Sequence, residues 1–244
     1  MSPQDHESHW TTRIQIGGFG LSTIDWPGRR SATIFLQGCP WRCAYCHNPA
    51  LQTRSRQGKH AWEAVLARLE ACRSEIEGVV FSGGEPTVDR CLPEAVDALR
   101  DMGFPVGLHT NGAYPERLAA LLPRLDWVGL DLKSDYEHND ALTGAPGSAA
   151  RVTESARLLV SSGVSHEFRL TWHQSMMSLD AARLAAHFAH HLGAKRFVLQ
   201  AYHPAGVIPG LATSEAPPPA LVAELAGLFE DFELREEICG LTLS

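Results

Sequence analysis

Three cysteines with the spacing of a metal site stand close together in the first quarter of the chain. They form a C-x3-C-x2-C pattern, with Cys39, Cys43 and Cys46 as its members. Three thiolates this close in sequence reach one metal centre only if the chain loops around it, and the turn-forming Gly38 and Pro40 favour such a loop. A zinc site, which would need a fourth ligand, and three buried structural cysteines are the alternatives. An iron–sulfur cube normally takes four cysteines, so three would leave one iron open to bind a substrate or cofactor.

A second motif joins two glycines to an acidic residue. Gly83, Gly84 and Glu85 directly follow an apolar run at 79–81 and Ser82. Glycine has no Cβ, so a glycine pair lets the backbone approach a ligand closely. Alone, the motif is more typical of a plain turn. Its place one strand after the cysteines favours a functional role.

Polar side chains also stand at the ends of four later apolar runs. In chain order they are Thr110 and Asn111, then Asp131 and Lys133, then Arg169, then His203. Asp131 and Lys133 are two residues apart on a strand, so both side chains point to one face. The Asn-Gly pair at 111–112 is also typical of a turn. Arg169 could instead pair with Glu167 on the surface, and the final histidine could belong to an ordinary loop.

Short apolar runs rich in β-branched and aromatic residues predict the strands that hold these side chains. There are six, at 32–36, 79–81, 106–108, 127–132, 168–172 and 197–199. Helical patterns lie between them, so the chain predicts a parallel sheet wrapped by helices. Six units would form a doubly wound sheet or a barrel short of the eight strands that close one. Both arrangements bring the polar strand ends to one edge.

Apolar residues at helical spacing predict the helices between these strands. They cover approximately 62–69, 92–102, 115–122, 152–160, 178–192 and 219–232. Gly163 is placed to end the fourth of them. Ser178 is a good N-cap for the fifth. The buried face of that fifth helix is expected to hold Leu184, Phe188 and Leu192.

Composition narrows the class of protein. The 244 residues carry 21 Lys and Arg against 28 Asp and Glu, and the net charge of −7 argues against a main role in binding nucleic acid. No run approaches the roughly 18 apolar residues of a membrane span, and the polar N-terminus lacks the core of a signal peptide. We therefore expect a cytoplasmic protein that binds neither nucleic acid nor a membrane. Residues 1–12 are expected to form a flexible tail, and residues 13–244 a single domain.

The cysteine motif and the glycine motif together resemble the radical S-adenosylmethionine (SAM) superfamily. C-x3-C-x2-C after the first strand is the signature of that superfamily, and Gly83-Gly84-Glu85 resembles its GGE motif, which holds the SAM amino group. The resemblance implies a partial (β/α)6 TIM-like barrel with one 4Fe-4S cluster on the three cysteines. It also implies that SAM chelates the open iron. One electron from the cluster then cleaves SAM to methionine and a 5′-deoxyadenosyl radical.

The polar strand ends resemble the SAM-binding set of the glycyl-radical activating enzymes, which include the pyruvate formate-lyase activating enzyme. The matching order is TNG, then DLK, then an arginine on the fifth strand, then YH after the sixth. The resemblance implies that Lys133 and Arg169 face the SAM carboxylate and that His203 faces the ribose. It implies that Tyr45 and His47, on either side of the last cysteine, contact the adenine. The other members implied to bind SAM are Gly83, Gly84, Glu85, Thr110, Asn111 and Asp131.

A narrower resemblance covers about residues 14 to 210. The sequences IGGF, STIDWPG, QGC and CHNP at 16–19, 22–28, 37–39 and 46–49 are similar to those of the anaerobic ribonucleoside-triphosphate reductase activating proteins. This implies that the chain removes a glycine α-hydrogen from a partner glycyl-radical enzyme, an anaerobic ribonucleotide reductase. A flavodoxin or a ferredoxin is the implied electron donor. An incomplete barrel suits such a partner because its open side can admit a loop of another protein.

Two features depart from this resemblance. Many activases have, before TNG, an Asp that helps to hold a monovalent cation, whereas this chain has His109, so we expect no cation site. The segment 172–178 (WHQSMMS) replaces a valine-rich stretch, and nothing in the sequence accounts for it.

Two other functions remain open at this point. One is a radical SAM enzyme that acts on a small molecule or a peptide, such as a relative of carboxy-deazaguanine synthase. The other is an iron–sulfur electron carrier or redox sensor without enzymatic activity. Cleavage of SAM separates an enzyme from a carrier, and a radical on a protein glycine separates an activase from the other enzymes.

Overall fold

One eight-stranded sheet forms the frame of the molecule. The structure is a computed structural model, and it describes residues 10–55, 58–202 and 215–236. Its strands are β1 (Ile16–Ser22), β2 (Ser31–Leu36), β3 (Gly78–Gly83), β4 (Val106–Thr110), β5 (Trp127–Leu132), β6 (Ser165–Trp172), β7 (Arg196–Ala201) and β8 (Asp231–Arg235). They lie side by side in chain order. β1 is antiparallel to β2, and every later neighbouring pair is parallel.

Helices join the parallel strands, as parallel pairing requires. Within the described residues there are seven α-helices: α1 (Trp62–Ala71), α2 (Leu92–Asp101), α3 (Pro115–Leu121), α4 (Tyr136–Thr143), α5 (Ser148–Ser162), α6 (Leu179–His191) and α7 (Pro219–Ala226). β2 to β7 are the six predicted strands, so the α/β fold with a partial (β/α)6 barrel is confirmed. None of the described helices has the length and apolar run that a membrane crossing requires.

The last part of the chain corrects the predicted helix at 219–232. α7 ends at Ala226, and the chain then extends as β8 along β7. Residues 231–235 alternate polar and apolar side chains, which is the period of a strand rather than of a helix. Asp231 and Glu233 of β8 pair with Arg196 of β7. These ion pairs add to the backbone ladder and favour the strand.

The buried face of α6 also differs from the prediction. Ser178 caps the helix as predicted, because its Oγ accepts from the Ala181 N–H at 3.0 Å. Leu184, however, is 56% exposed. The face that is fully buried consists of alanines, at positions 181, 182, 185, 186 and 189. Small side chains let the helix lie close to the sheet, so the larger leucine points away from it.

Side-chain packing begins within the segment that was predicted to be a tail. The Trp10 ring lies edge-on to the Trp62 ring of α1, with 5.1 Å between the ring centroids. Ile14 is buried. Ordered packing therefore begins by Trp10 rather than after residue 12, and residues 1–9 lie outside the described part of the chain.

Strand alternation separates an apolar outer face of the sheet from a polar inner face. On β6, Phe168 and Leu170 are buried in the main core, whereas Glu167 and Arg169 point the other way and form ion pairs. Successive side chains of a strand point to opposite faces. The helices therefore cover the apolar face, and the polar face lines the inside of the partial barrel.

Trp26, in the loop between β1 and β2, closes part of this inner face. Its ring stacks on Trp127 with 5.7 Å between the centroids, and the two rings form a small cluster with Val80, separate from the main core. Glycines make room for it, because a Cβ at Gly78 or Gly107 would lie 2.9 or 3.1 Å from the Trp26 ring. The loop is thus anchored inside the barrel.

Replacing Trp26 with Ala should destabilise the protein by about 3–5 kcal/mol, because the ring fills space that the surrounding strands cannot close. Chemical denaturation monitored by circular dichroism measures the change in unfolding free energy. Tyr136→Ala is the matched control, since this ring is 65% exposed and its loss should change stability by less than about 0.5 kcal/mol. Equal effects of the two variants would contradict the anchoring role of Trp26.

Candidate active site

A cavity of about 680 Å³ opens where the parallel strands end. Most residues that the sequence singled out line its wall: Cys39, Cys43, Tyr45, Cys46, His47, Gly83, Gly84, Thr110, Asn111, Asp131, Lys133 and Arg169. Glu85 does not line it, and His203 lies outside the described residues. Six successive strand ends, from β2 to β7, contribute to the wall, which explains how residues so far apart in sequence come together.

The loop after β2 brings the cysteines to the cavity. The Cys39 N–H donates to the Gln52 carbonyl at 3.0 Å, and the Arg42 N–H donates to the Thr143 carbonyl at 2.7 Å. The Arg42 guanidinium folds back and donates to the carbonyls of Cys39 and Trp41, at 2.7 and 2.8 Å. The Trp41 side chain is fully buried and anchors the loop. These contacts curl the chain so that all three cysteines face the same space.

The cysteine thiols lie in surroundings that disfavour their charged form. Burial raises the pKa of Cys39 to about 12 and also raises the pKa of Cys43, while the Lys133 ammonium acts in the opposite direction on both. Asn111 Nδ2 donates to Cys39 Sγ at 3.6 Å. Within the described residues, no group of three or more His, Cys, Asp or Glu side chains is arranged to hold a metal ion. The donor set itself, three sulfurs beside an amide donor and a cation, has the chemistry that an iron–sulfur cluster requires.

Backbone packing, rather than a free turn, explains the glycine pair. Gly83 has φ +120°, and a Cβ there would lie 2.3 Å from the Leu36 carbonyl oxygen. A Cβ on Gly84 would lie 2.3 Å from the Gly38 carbonyl oxygen. The Gly84 N–H donates to the Leu36 carbonyl at 2.9 Å, and the next N–H donates to the Gly38 carbonyl at 2.8 Å. The pair therefore fastens the end of β3 to the start of the cysteine loop.

The Glu85 side chain points into the protein and not into the cavity. It is 1% exposed, and its carboxylate accepts four hydrogen bonds. The donors are the Thr87 N–H at 3.0 Å, the Thr87 hydroxyl at 2.5 Å, the Thr110 hydroxyl at 2.8 Å and the Asn111 N–H at 2.7 Å. Burial raises the pKa of Glu85, and these donors act in the opposite direction. The carboxylate thus joins the end of β3 to the end of β4.

Thr110 and Asn111 extend this network to the cysteines. The Thr110 hydroxyl donates to Glu85 and accepts from the Gly112 N–H at 3.0 Å. Asn111 Oδ1 accepts from the Ala113 N–H at 3.0 Å, which leaves its amide nitrogen to donate to Cys39. The predicted turn is therefore present, and the same residues that shape it also face the cavity.

Asp131 lies between two cations on the cavity wall. Arg169 Nε donates to its Oδ1 at 2.7 Å, and Lys133 Nζ donates to its Oδ2 at 3.2 Å. The alternative pairing of Arg169 with Glu167 is wrong, because Glu167 is buried against Arg196 instead. Burial tends to raise the pKa of Asp131, but the two cations outweigh burial and hold it below its usual range.

The same contacts keep the Lys133 side chain charged. Burial tends to lower its pKa, but the Asp131 carboxylate outweighs burial and holds the pKa of Lys133 above its usual range. The Lys133 and Arg169 side chains are only 15% and 7% exposed. Both cations line the cavity, so this part of the wall can bind an anion such as a second carboxylate.

Tyr45 and His47 form an aromatic part of the wall. Tyr45 is 2% exposed, and its hydroxyl donates to the Lys133 carbonyl at 3.4 Å. Its ring centroid lies 5.9 Å from Lys133 Nζ and 6.3 Å from the His47 ring. The aromatic rings therefore adjoin the cationic part of the cavity on one side and the cysteines on the other.

His109 joins the cavity to the buried loop between β1 and β2. Its Nε2 donates to the Asp25 carbonyl at 2.6 Å, and its Nδ1 lies 3.2 Å from the Ser82 hydroxyl. A carbonyl can only accept, so Nε2 carries the proton and Nδ1 accepts from Ser82. Burial lowers the pKa of His109 to about 4, and the Arg169 charge acts in the same direction. His109 is therefore neutral near pH 7.

A second wall of the cavity was not found from the sequence. It consists of residues from β1, β2, β7 and β8 and from the loop between β1 and β2, including Leu21, Asp25, Thr33, Phe35, Gln200 and Arg235. Thr33 and Phe35 lie two apart on β2, and this alternation is the signal that could have found them. Arg235 was missed because the segment before it was predicted as a helix.

The sequence model of the Radical SAM superfamily matches residues 33–178. The chain belongs to the radical SAM superfamily. It is a radical SAM enzyme, and its cofactors are a 4Fe-4S cluster and SAM. The three sulfur donors and the cationic wall described above fit these two groups.

Three curated relatives differ in their named activities. The chain is 35% identical over 120 residues to a protein of Methanocaldococcus jannaschii named as a candidate glycyl-radical enzyme activating enzyme, over 48% of this chain and 49% of that one. It is 30% identical over 130 residues to the pyruvate formate-lyase-activating enzyme of Clostridium pasteurianum, over 51% and 54% of the two chains. It is 26% identical over 156 residues to the 7-carboxy-7-deazaguanine synthase of Thermococcus kodakarensis, over 56% and 61%. The chain spans about half the length of the first two relatives.

Solved structures share the fold. A crystal structure of SuiB from Streptococcus suis bound to S-adenosylmethionine matches with a TM-score of 0.61 and 17% identity, over 82% of this chain and 48% of that one. SuiB bound to its precursor peptide SuiA matches with a TM-score of 0.60 and 16% identity, over 81% and 46%. At these identities the likeness concerns the fold alone.

Glu85→Ala should lower the unfolding free energy of the cofactor-free protein by about 3 kcal/mol or more, because several buried donors lose their acceptor. Glu85→Gln should cost less, since one acceptor oxygen remains. The exposed Glu154 of α5 provides a control, and Glu154→Ala should change stability by less than about 0.5 kcal/mol. Urea denaturation measures all three. Wild-type stability of Glu85→Ala would show that the network is not structural.

Proposed function

We propose that this chain is an activase that generates a glycyl radical on a partner enzyme. The observation that carries the proposal is that the three cysteines and the Lys133–Asp131–Arg169 group line one cavity at the strand ends. Cluster ligands and a carboxylate site in one space are what a radical SAM reaction needs. The named activities of two relatives support the activase among the possible reactions.

In this proposal the cysteines hold the cluster and leave one iron open. Cys39, Cys43 and Cys46 are its only protein ligands, since a cube held by three thiolates has one free position. The Asn111 amide, which donates to Cys39, holds that sulfur in place. When bound, the cluster and SAM would supply a one-electron reductive cleavage of the SAM sulfonium. That chemistry can remove a hydrogen atom from glycine.

Lys133 and Arg169 orient SAM through its carboxylate. A free carboxylate in water has no fixed direction, whereas a planar guanidinium and an ammonium on one wall hold it in one orientation. Asp131 contacts both cations and holds them on the same part of the wall. Gly83 and Gly84 expose backbone near the cysteine loop, where a SAM amino group would meet carbonyl oxygens.

The remaining roles follow the resemblance to the activases. Tyr45 and His47 contact the adenine, and their place beside the cysteines supports this assignment. Thr110 and Asn111 complete the SAM wall, and Glu85 acts on it through them. His203 is assigned to the ribose on the resemblance alone, because it lies outside the described residues.

The proposed partner is an anaerobic ribonucleotide reductase in the cytoplasm, with a flavodoxin or a ferredoxin as electron donor. The motifs at 22–28 and 46–49 support this choice among glycyl-radical enzymes. The sheet order runs from β1 to β8 without a pairing between them among the described strands, so the barrel is open on one side. An open side can admit a loop of a protein partner.

A second candidate is an enzyme similar to 7-carboxy-7-deazaguanine synthase. The relative from Thermococcus kodakarensis favours it, and a cavity of about 680 Å³ lies within the usual range for small ligands. The two candidates share the cluster and SAM chemistry. They differ in whether the hydrogen comes from a protein backbone or from a small molecule.

Lys133→Ala and Arg169→Ala should each weaken SAM binding roughly ten- to 150-fold, the equivalent of about 1.5–3 kcal/mol for one charge-assisted hydrogen bond. Equilibrium titration of SAM into anaerobic, cluster-loaded protein measures the effect. Lys195→Ala and Arg183→Ala, which remove cations from exposed ion pairs, should bind SAM like the wild type. If all four variants bind SAM alike, the carboxylate assignment is wrong.

Electron paramagnetic resonance tests the reaction itself. The reconstituted protein, incubated anaerobically with SAM, reductant and an anaerobic ribonucleotide reductase, should produce a glycyl radical signal on the reductase. Cys39→Ala should abolish both the cluster and the signal. Cys91→Ala is the matched control that should keep both, because Cys91 does not line the cavity. SAM cleavage that turns over a deazaguanine precursor and gives no protein radical would instead support the second candidate.

A further inference from the structure

The segment 172–178 forms the turn between β6 and α6, and His173 holds this turn together. His173 is 1% exposed, and its carbonyl accepts from the N–H groups of Met176 and Met177, both at 2.9 Å. Its Nδ1 lies 3.2 Å from the Ser175 N–H and accepts from it. A backbone amide can only donate, so Nδ1 is the acceptor in this contact. The orientation of the His173 ring is thus fixed by its own turn.

The fixed His173 ring contacts two further rings in a row. Its edge meets Tyr202, with 4.6 Å between the centroids and 74° between the planes. Tyr202, just after β7, is 5% exposed, and its N–H donates to the Trp172 carbonyl at 3.1 Å. The Tyr202 ring in turn stacks on His47, with centroids 5.2 Å apart and 28° between the planes. We name His173, Tyr202 and His47 the aromatic row.

Only one end of the aromatic row reaches the cavity. His47 lines the cavity wall, whereas Tyr202 and His173 lie behind it. His47 belongs to the cysteine loop after β2, whereas His173 directly follows β6 and Tyr202 directly follows β7. A side chain on a loop keeps several rotamers unless its neighbours select one. Stacking on Tyr202 selects the orientation in which the His47 ring faces the cavity.

We propose that Tyr202 and His173 are positioning residues for the adenine side of the SAM site. Tyr202 acts directly on the His47 ring, and His173 acts through Tyr202. The inference rests on the proposed function, because it takes His47 as an adenine contact. It also accounts for the segment 172–178, whose histidine supplies the rigid end of the aromatic row.

A purely structural role makes a different prediction. If the aromatic row only stabilised the cysteine loop, its loss would lower cluster content and thermal stability and would weaken every ligand of the open iron alike. If the row positions His47, its loss weakens ligands that contain adenine and spares methionine, which carries only the amino and carboxylate groups of SAM. The comparison of SAM with methionine therefore separates the two roles.

Paired substitutions isolate the ring contacts. His173→Asn keeps an acceptor for the Ser175 N–H and removes the ring, whereas His173→Phe keeps a ring and removes the acceptor. Tyr202→Leu removes the ring, and Tyr202→Phe removes a buried hydroxyl that has no hydrogen-bond partner among the described residues. His190→Asn is the matched control, since the exposed His190 ring meets Phe229 edge-on at 5.8 Å and does not line the cavity.

The test is the binding of SAM and of methionine to the anaerobic, cluster-loaded variants. Iron content and the melting temperature of the cofactor-free protein are measured for the same variants. Tyr202→Leu and His173→Asn should bind SAM about three- to tenfold more weakly, as the loss of one aromatic pair allows, and should bind methionine within twofold of the wild type. Tyr202→Phe and His190→Asn should bind SAM like the wild type. His173→Phe, which keeps the ring but loses the hydrogen bond that orients it, should bind SAM more tightly than His173→Asn. Should Tyr202→Leu not fold, the two His173 variants decide alone.

Two results would overturn the inference: equal weakening of SAM and methionine, or unchanged SAM binding in His173→Asn and Tyr202→Leu. The proposed function has a separate test, the glycyl radical signal. If Lys133→Ala weakens SAM binding while the ring variants do not, only the positioning role fails. If no glycyl radical forms on the partner enzyme, the proposed function fails whatever the ring variants show.

Discussion

The centre of the cavity depends on one carboxylate, Asp131, held between two buried cations. Burying an unpaired cation costs several kcal/mol of desolvation. Asp131 offsets part of that cost for both Lys133 and Arg169, at 3.2 and 2.7 Å. Because both cationic side chains are largely buried, an anionic ligand that contacts them gains more than it would at the surface.

The cysteine loop depends in turn on a second buried carboxylate. Glu85 accepts from Thr110 and from the Asn111 backbone, and the Asn111 amide donates to Cys39. The backbone of Gly84 also joins the end of β3 to the cysteine loop. No larger residue fits at this position beside the Gly38 carbonyl. The ends of β2, β3 and β4 are therefore bonded to one another before any ligand arrives. Such preorganisation lowers the cost of holding a cofactor in one orientation.

The spacing of motifs along the chain made most of this candidate site predictable from the sequence. The remaining features depend on packing between residues far apart in sequence, which the sequence alone does not show. Strand ends in a parallel sheet meet at one edge, so the positions of Asp131, Lys133 and Arg169 followed from the order of the runs. Glu85 could not be placed, because its direction depends on donors that lie two and about 25 residues away. β8 was read as a helix because Leu and Phe residues in 221–232 fit a helical period, although 231–235 also alternate. The buried alanine face of α6 was not predicted because alanine contributes only weakly to a hydrophobic pattern.

The two walls of the cavity are therefore built under different constraints. The wall from the cysteine loop and from β3 to β6 is fixed by hydrogen bonds and ion pairs between its own members. The wall from β1 and β8 belongs to the sheet edges, and its Leu21 is 50% exposed while Arg235 is held by Glu233 of the same strand. Edge residues change without breaking the network around Asp131 or Glu85. The part of the wall at the sheet edges can therefore differ between related chains while the network around Asp131 and Glu85 stays the same.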